Sequence, residues 1–175
     1  WLEATYLKVR KGGRGVAVAT IVACAVNQDG RREILGLGIG ESEAKEFWVE
    51  FLRGLRQRGL TGVQLVISDA HEGLKAAISQ VFSASWQRCR VHFMRNVLVC
   101  VPKSHQVLVG TLIRQVFVQP DAASAHEAWR QVADKIRSRF GKAASLMDDA
   151  EHDVLAHLDF PSAHRRSEGR RVGKE

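Results

Sequence analysis

The hydrophobic and polar positions of the first 40 residues predict three consecutive β-strands. From Leu2 to Arg10 the residues alternate between two faces, as they do in a half-exposed strand. The segment from Val16 to Val26 is rich in alanine and β-branched residues and has few charges, which predicts a central strand buried on both faces. Glycine-containing turns at 11–15 and 27–30 separate these strands from each other and from a third strand.

The third strand carries glycines on one of its faces. Leu35, Leu37 and Ile39 fall on one face, and Gly36 and Gly38 fall on the other. Because glycine has no side chain, we expect another element to pack close to the backbone of this strand.

Helices and short strands alternate after residue 40. Ser42 is the predicted N-cap of a first helix, which Gly59 terminates. A short buried strand is predicted at 63–67 and another short strand at 85–89, with an amphipathic helix between them and a helix around His92 that stops near Pro102. The apolar stripe of the first helix comprises Phe47, Trp48, Phe51, Leu52 and Leu55.

This order of elements predicts an α/β fold. Three strands joined by hairpins, then alternating helices and strands, describe a mixed sheet with three antiparallel strands followed by parallel strands. That is the layout of a ribonuclease-H-like fold with flanking helices. Helical spacing from Ser104 to Leu158 adds a C-terminal helical insertion, with Asp121 as a predicted cap and Gly141 as a predicted stop. We therefore predict a ribonuclease-H-like core at 1–102, a helical insertion at 103–160 and a basic tail at 161–175.

The composition is that of a globular protein with an excess of positive charge. Apolar residues make up 45% of the 175 residues and charged residues 26%, which excludes disordered, collagen-like and coiled-coil classes. The 26 Lys and Arg residues outnumber the 19 Asp and Glu residues, and the net charge of +7 favours a polyanionic partner. Three cysteines without paired spacing predict a reducing compartment, and no apolar run reaches the roughly 20 residues of a membrane span. The chain begins at Trp1 rather than Met, so we expect a fragment.

Two acidic residues are candidates for an active site of the kind that α/β proteins have. Asp69 follows a buried strand directly, at the carboxyl edge of the sheet where such sites gather. Its alternative role is to cap the helix that follows. Glu3 lies in the first strand and would come next to Asp69 if the two strands pair in parallel; its alternative is a partly exposed edge residue.

Cys89 and His92 form a Cys-x-x-His pair in the segment where the last short strand turns into a helix. One such pair is half of a tetrahedral zinc site, so a local structural role at the turn near the acids is favoured over zinc binding. Basic residues in the same segment and in the first strand are candidates for contacts with phosphates, against the alternative of a solvated surface. They are Lys8, Arg10, Arg90 and Arg95.

Several blocks of the chain together resemble the Mutator-type bacterial insertion-sequence transposases, whose catalytic domain is ribonuclease-H-like. The similarity extends over about residues 1 to 166. The blocks that carry it are LEATYLKVR (2–10), AVNQDGRREILGLGIGESEAKEFWVEFLRGLRQRGL (25–60), VQLVISDAHEGLKAAI (63–78), WQRCRVHFMRNVL (86–98) and DFPSAHRR (159–166).

The resemblance implies a phosphoryl transfer on DNA that depends on Mg²⁺ (or Mn²⁺) held by three carboxylates. Glu3 matches the strand of the family's first acid and Asp69 matches the second, so both are expected as catalytic residues and metal ligands. Cys89 and His92 match the family's accessory pair. The family has aspartate where this chain has Glu3, and its third acid lies in a block that is missing after the segment resembling FPSAHRR.

We therefore expect the catalytic core of a transposase, truncated at both ends, that cleaves DNA and transfers strands. The resemblance implies DNA as a partner, a homo-oligomer in the active complex, no membrane association, and a location in the bacterial cytoplasm with the nucleoid. Two alternatives are a non-catalytic DNA-binding remnant and a ribonuclease-H-like nuclease that cuts without joining. A zinc-binding regulatory module is a more distant alternative.

Overall fold

A computed structural model of the chain describes residues 1–27, 29–40 and 44–160. The chain divides into two compact units, one from Trp1 to Trp86 and one that begins at Gln87. Each unit has its own hydrophobic core. The two are therefore described separately.

The first unit begins with an antiparallel sheet of three strands: β1 (Leu2–Lys11), β2 (Arg14–Val26) and β3 (Arg32–Gly40). Their order in the sheet is β1-β2-β3, so β2 is central as the sequence predicts. The two hairpins are also confirmed.

Only one face of β2 is fully buried, so the prediction of burial on both faces is wrong. Ala19, Ile21 and Ala23 are buried, whereas Thr20 and Val22 on the other face are half-buried. The reason is that the helices of this unit share their core with one face of the sheet, the face of Ile21 and Ala23.

The first helix, α1 (Lys45–Gln57), packs against the glycine backbone of β3. A Cβ atom at Gly38 would lie 2.9 Å from the ring of Phe51, and one at Gly40 would lie 2.6 Å from the ring of Phe47. The predicted close approach to this strand is thereby confirmed, since a larger residue would clash with the aromatic rings.

A β-bulge changes the faces predicted for β3. Ala23 lies opposite Gly36 but Cys24 lies opposite Ile34, so Leu35 is an extra residue in the ladder. Leu35 therefore packs against the core, whereas Leu37 and Ile39 are 68% and 72% exposed. The prediction that these three leucine and isoleucine residues share a face is wrong because the bulge shifts the alternation by one residue.

The ends of α1 agree only partly with the predicted signals. Ala44 occupies the N-cap position, and the predicted cap Ser42 lies outside the described residues. The helix ends at Gln57, and Gly59 follows with a φ of +102°, so the predicted stop is confirmed.

The first unit continues with β4 (Leu65–Ser68), α2 (Glu72–Phe82) and the start of β5 (Ser85–Arg88). β4 and β5 form a separate two-stranded parallel sheet, and β4 lies beside β1. The structure is thus a mixed α/β fold with antiparallel and parallel strands. Among the described residues the strands belong to two sheets, and the single ribonuclease-H-like sheet stays a prediction.

Up to residue 160, where the description of the chain ends, the second unit contains four α-helices around one core. They are α3 (Arg90–Val99), α4 (Lys103–Val116), α5 (Ala122–Arg137) and α6 (Gly141–Leu155), followed by a 3₁₀-helix at Ala156–Asp159. Phe93 and Trp129 stack in the core with ring centroids 5.1 Å apart. The indole N–H of Trp129 donates to the carbonyl oxygen of Met147 at 2.9 Å, so its polar atom is satisfied inside the core.

Two predicted helix signals in this unit have different outcomes. Asp121 caps α5 as predicted, because its side chain accepts a hydrogen bond from the Ser124 amide at 2.8 Å. Gly141 does not stop a helix but begins α6, since α5 already ends at Arg137.

The helical spacing of the C-terminal half is confirmed, but α3 also contributes to its core. Phe93 and Val97 lie in one cluster with residues of α4, α5 and α6. The division at residue 102 stays a prediction, and the predicted tail, 161–175, lies outside the described residues.

In the part of the chain that the structure describes, no helix is long and apolar enough to cross a membrane. The cysteines Cys24, Cys89 and Cys100 are free.

A buried carboxylate links α5 to α6. Glu151 accepts hydrogen bonds from His126 Nδ1 at 2.6 Å and from Arg130 Nε at 3.1 Å, and its side chain is only 10% exposed. Burial on its own raises the pKa of Glu151, but the hydrogen bonds from Arg130 and His126 outweigh it and hold the pKa below its usual range. Glu151 is therefore charged in the folded protein at neutral pH.

Replacing this carboxylate should weaken the second unit in a pH-dependent way. We expect Glu151→Gln to lower the free energy of unfolding by about 2 kcal/mol at pH 7, because it removes hydrogen bonds to a charged acceptor. The folded-state pKa is lowered, so the stabilisation is present above the unfolded-state pKa of about 4.3 and is lost as the pH falls through the folded-state pKa. Urea unfolding at pH 7 and at about pH 3, followed by circular dichroism, measures both effects.

The matched control is Glu127→Gln, an exposed glutamate on α5 that should change stability by less than about 0.5 kcal/mol. An equal loss in both variants at pH 7, or a Glu151→Gln loss that does not shrink in acid, would contradict the prediction.

Candidate active site

Asp69 lies at the carboxyl end of β4, directly after the buried residues Val66, Ile67 and Ser68. Its carboxylate is exposed, and Oδ1 accepts a hydrogen bond from the Ala70 amide at 2.7 Å. This is the position that the sequence predicts for an α/β site.

Asp69 does not cap the helix that follows, so the alternative role drawn from the sequence is wrong. α2 begins at Glu72, and its N-cap is His71, whose Nδ1 accepts a hydrogen bond from the Leu74 amide at 3.2 Å. A capping side chain must stand immediately before the first helical residue, and Asp69 stands two positions too early. The role of its carboxylate as a metal ligand stays a prediction.

Glu3 lies in β1 opposite Val22 of β2. Leu2 beside it is buried, and Glu3 itself is exposed on the other face of the strand. β1 is an edge strand of its sheet, so the placement agrees with the expected alternative of an exposed edge residue. Its role as a metal ligand stays a prediction.

The strands that carry the two acids are neighbours. β4 lies beside β1, as the predicted site requires. The two strands are not hydrogen-bonded to each other within one sheet in the described residues, so the parallel pairing expected for them is not confirmed.

The two acids fit a divalent cation with hard, oxygen-rich coordination. Both carboxylates are exposed, and Mg²⁺ is commonly bound through one or two protein carboxylates with water and phosphate oxygens completing its shell. No cluster of three or more His, Cys, Asp or Glu that could hold a metal occurs within 1–27, 29–40 and 44–160. Metal binding by Asp69 and Glu3 stays a prediction.

Sequence reasoning missed two residues that hold the backbone at Asp69. Trp86 of β5 donates its indole N–H to the Ser68 hydroxyl at 2.8 Å, and that hydroxyl donates to the carbonyl oxygen of Asp69 at 2.9 Å. The signal was a tryptophan in a short buried strand, because its N–H needs a partner there. Sequence alone does not say which partner it finds.

Cys89 and His92 lie at the start of the second unit. Cys89 is buried and occupies the N-cap position of α3, where its backbone oxygen accepts a hydrogen bond from the Phe93 amide. The thiol makes no capping hydrogen bond, and the Nδ1 atom of His92 is buried without a hydrogen-bond partner among the described residues. They thus flank the strand-to-helix turn as predicted, and their role there stays a prediction.

The predicted phosphate-binding residues occupy different surroundings. Lys8 and Arg10 are exposed on β1, on the face opposite to that of Glu3. Arg95 is exposed on α3, but Arg90 is half-buried with its guanidinium 4.8 Å from the ring centroid of Phe117. Arg90 therefore has a packing role through a cation–π contact, which the sequence did not predict.

Comparison with known proteins shows the family to which the sequence belongs. The family described as "Transposase, Mutator family" matches residues 1–169, somewhat past the point where the sequence resemblance was expected to end. The chain belongs to the Mutator family of transposases.

Relatives with related sequences carry names of the same kind. The chain is 42% identical over 160 residues to the transposase for insertion sequence element IS1081 of Mycobacterium tuberculosis, which covers 91% of this chain and 39% of that protein. It is 36% identical over 167 residues to the transposase for IS256 in transposon Tn4001 of Staphylococcus aureus, covering 94% of this chain and 43% of the relative. The transposase for ISRM5 of Rhizobium meliloti is 35% identical over 166 residues, with coverage of 94% and 42%. The chain thus spans about two fifths of the length of these relatives.

Removing the N-cap of α2 should cost stability, whereas removing the Asp69 carboxylate should not. We expect His71→Ala to lower the free energy of unfolding by about 1 kcal/mol because the Leu74 amide loses its acceptor. Asp69→Ala should change it by less than about 0.5 kcal/mol, since the group is exposed. Urea unfolding of the two variants beside the wild type measures the difference, and an equal loss in both would show that Asp69 has a structural role at this helix.

Proposed function

We propose that this chain is the catalytic part of a transposase that cuts DNA strands and joins them to a target with the help of a divalent cation. The observation that carries the proposal is the exposed Asp69 carboxylate, which ends a buried strand beside β1 and is not used as a helix cap. Membership of the Mutator family supports the same proposal.

Asp69 and Glu3 would hold Mg²⁺, or Mn²⁺ in its place. When bound, such a cation stabilises the charge on the attacking and leaving oxygens of a phosphoryl transfer. Asp69 keeps one carboxylate oxygen on the Ala70 amide, which fixes the direction in which the group faces. The attacking oxygen belongs to water in strand cleavage and to a freed 3′-hydroxyl in strand transfer.

Glu3 differs from the aspartate of the family by one methylene group. Its exposed position gives the longer side chain room to adjust, but a shift of about 1 Å costs on the order of a hundredfold in rate at a positioned site. The replacement of aspartate by Glu3 favours one competing function, a DNA-binding remnant without catalysis.

DNA is the proposed substrate, and Lys8, Arg10, Arg90 and Arg95 are its proposed contacts. Contacts with phosphates position DNA without reading its sequence. The active complex is proposed to be a homo-oligomer. It is proposed to act on DNA in the bacterial cytoplasm, in association with the nucleoid. Cys89 and His92 are proposed to shape the turn before α3 rather than to bind zinc.

Strand transfer distinguishes the proposed function from its competitors. We expect the purified chain, mixed with element-end DNA and target DNA in Mg²⁺ or Mn²⁺, to yield joined donor–target product. Asp69→Asn should abolish the product because an amide lacks the negative charge that holds the cation, while the exposed Glu72→Gln on α2 should leave it unchanged. Nicked DNA without joining would identify a nuclease instead, and DNA binding without either product would identify a remnant.

An exposed arginine that contacts DNA should contribute to the salt dependence of binding. We expect Arg95→Ala to reduce the slope of log affinity against log salt concentration by about 1, because one phosphate contact is lost. The matched control is Arg137→Ala, an arginine of α5 that is not among the proposed contacts with DNA and that pairs with Asp148 at 2.8 Å and Asp134 at 3.0 Å. Fluorescence anisotropy with duplex DNA at several salt concentrations gives the slopes, and an unchanged slope for Arg95→Ala removes this residue from the interface.

A further inference from the structure

We propose that Trp86 and Ser68 are positioning residues that orient the Asp69 carboxylate. The inference rests on the proposed function, in which Asp69 holds a divalent cation. Neither residue is placed on the cation or on DNA; both act through the backbone of Asp69.

The Ser68 hydroxyl lies between two partners with opposite roles. It accepts a hydrogen bond from Trp86 Nε1 at 2.8 Å and donates its one proton to the Asp69 carbonyl oxygen at 2.9 Å. Because the indole N–H only donates, the hydroxyl proton is left to point at Asp69. Ser68 is 2% exposed, so the arrangement is shielded from solvent.

The hydrogen bond from Ser68 acts on a rigid unit of the backbone. The carbonyl group of Asp69 and the amide of Ala70 belong to the same planar peptide group, so holding the carbonyl also holds the amide. That amide donates to Oδ1 of Asp69 at 2.7 Å. Trp86 thus orients the Asp69 carboxylate indirectly, through the Ser68 hydroxyl and the peptide group between Asp69 and Ala70.

A third contact holds the tryptophan in place. The ammonium group of Lys75 on α2 lies 4.6 Å from the centroid of the Trp86 ring, which is the geometry of a cation–π interaction. Trp86 belongs to β5 and Ser68 to β4, so the contact ties two strands and the helix after Asp69 to one side chain. The side chain of Trp86 thus contacts residues on both sides of the loop from Asp69 to His71, Ser68 before it and Lys75 after it.

The variants distinguish the effect of the indole N–H on metal binding from the effect of the aromatic ring itself. Trp86→Phe keeps an aromatic ring for Lys75 but removes the donor, and Ser68→Ala removes the hydroxyl. We expect each to weaken Mn²⁺ binding about tenfold, as loss of groups that orient metal ligands does. Ser68→Thr retains the hydroxyl and should bind Mn²⁺ as the wild type does. Titration of the purified chain with Mn²⁺, followed by electron paramagnetic resonance of the free ion, gives the affinities.

Two control variants make the outcome specific. Trp48→Phe removes an indole N–H from the same unit that has no hydrogen-bond partner among the described residues, so it should leave Mn²⁺ affinity unchanged even where stability falls. Asp69→Asn should abolish Mn²⁺ binding. If it does not, the proposed metal site fails; if it does, but Trp86→Phe and Ser68→Ala bind Mn²⁺ normally, the positioning role fails and the proposed function stands.

A second measurement needs no metal. In the metal-free protein, we expect hydrogen exchange at the Ala70 amide to be faster in Trp86→Phe and Ser68→Ala than in the wild type, because the peptide plane is less restrained. Exchange at the Leu74 amide, which His71 caps, should be unchanged. Equal exchange at Ala70 in all of these proteins would overturn the inference.

Discussion

The close packing of α1 on the glycine backbone of β3 is the constraint on which the first unit depends. Any Cβ at Gly38 or Gly40 would lie 2.9 Å or 2.6 Å from an aromatic ring of the helix, so only glycine permits this approach. The packing decides which face of the sheet is buried. Since side chains alternate along a strand, it also decides that Glu3 lies on the open face, where its carboxylate can meet a ligand.

Acidic residues serve two different purposes in the two units, and burial separates them. Glu151 is buried, and Arg130 and His126 satisfy its charge, so it holds two helices together. Asp69 and Glu3 are exposed, and the Asp69 carboxylate accepts a hydrogen bond from the neighbouring Ala70 amide. A charge satisfied inside the protein is structural, whereas a charge left at the surface is available to a cation.

Much of the fold followed from patterns that act over short distances. Alternation predicted β1 and β2, glycine spacing predicted a close neighbour for β3, and the apolar stripe predicted α1. The motif blocks predicted the Mutator family, which the comparison confirms. The face predicted for Leu37 was wrong because a β-bulge inserts one residue into β3. No local sequence pattern shows where a β-bulge will interrupt the pairing of two strands.

The sequence by itself determined the order of the elements, the family and the position of Asp69 after a buried strand. It left open whether Asp69 caps α2 or faces a ligand, because an acid before a helix suits both roles. Only the tertiary structure excluded the capping role, by starting the helix at Glu72 with His71 as its cap. It also joined Trp86 to Ser68, residues 18 positions apart, because such a contact depends on how two strands come together in space rather than on any spacing along the chain.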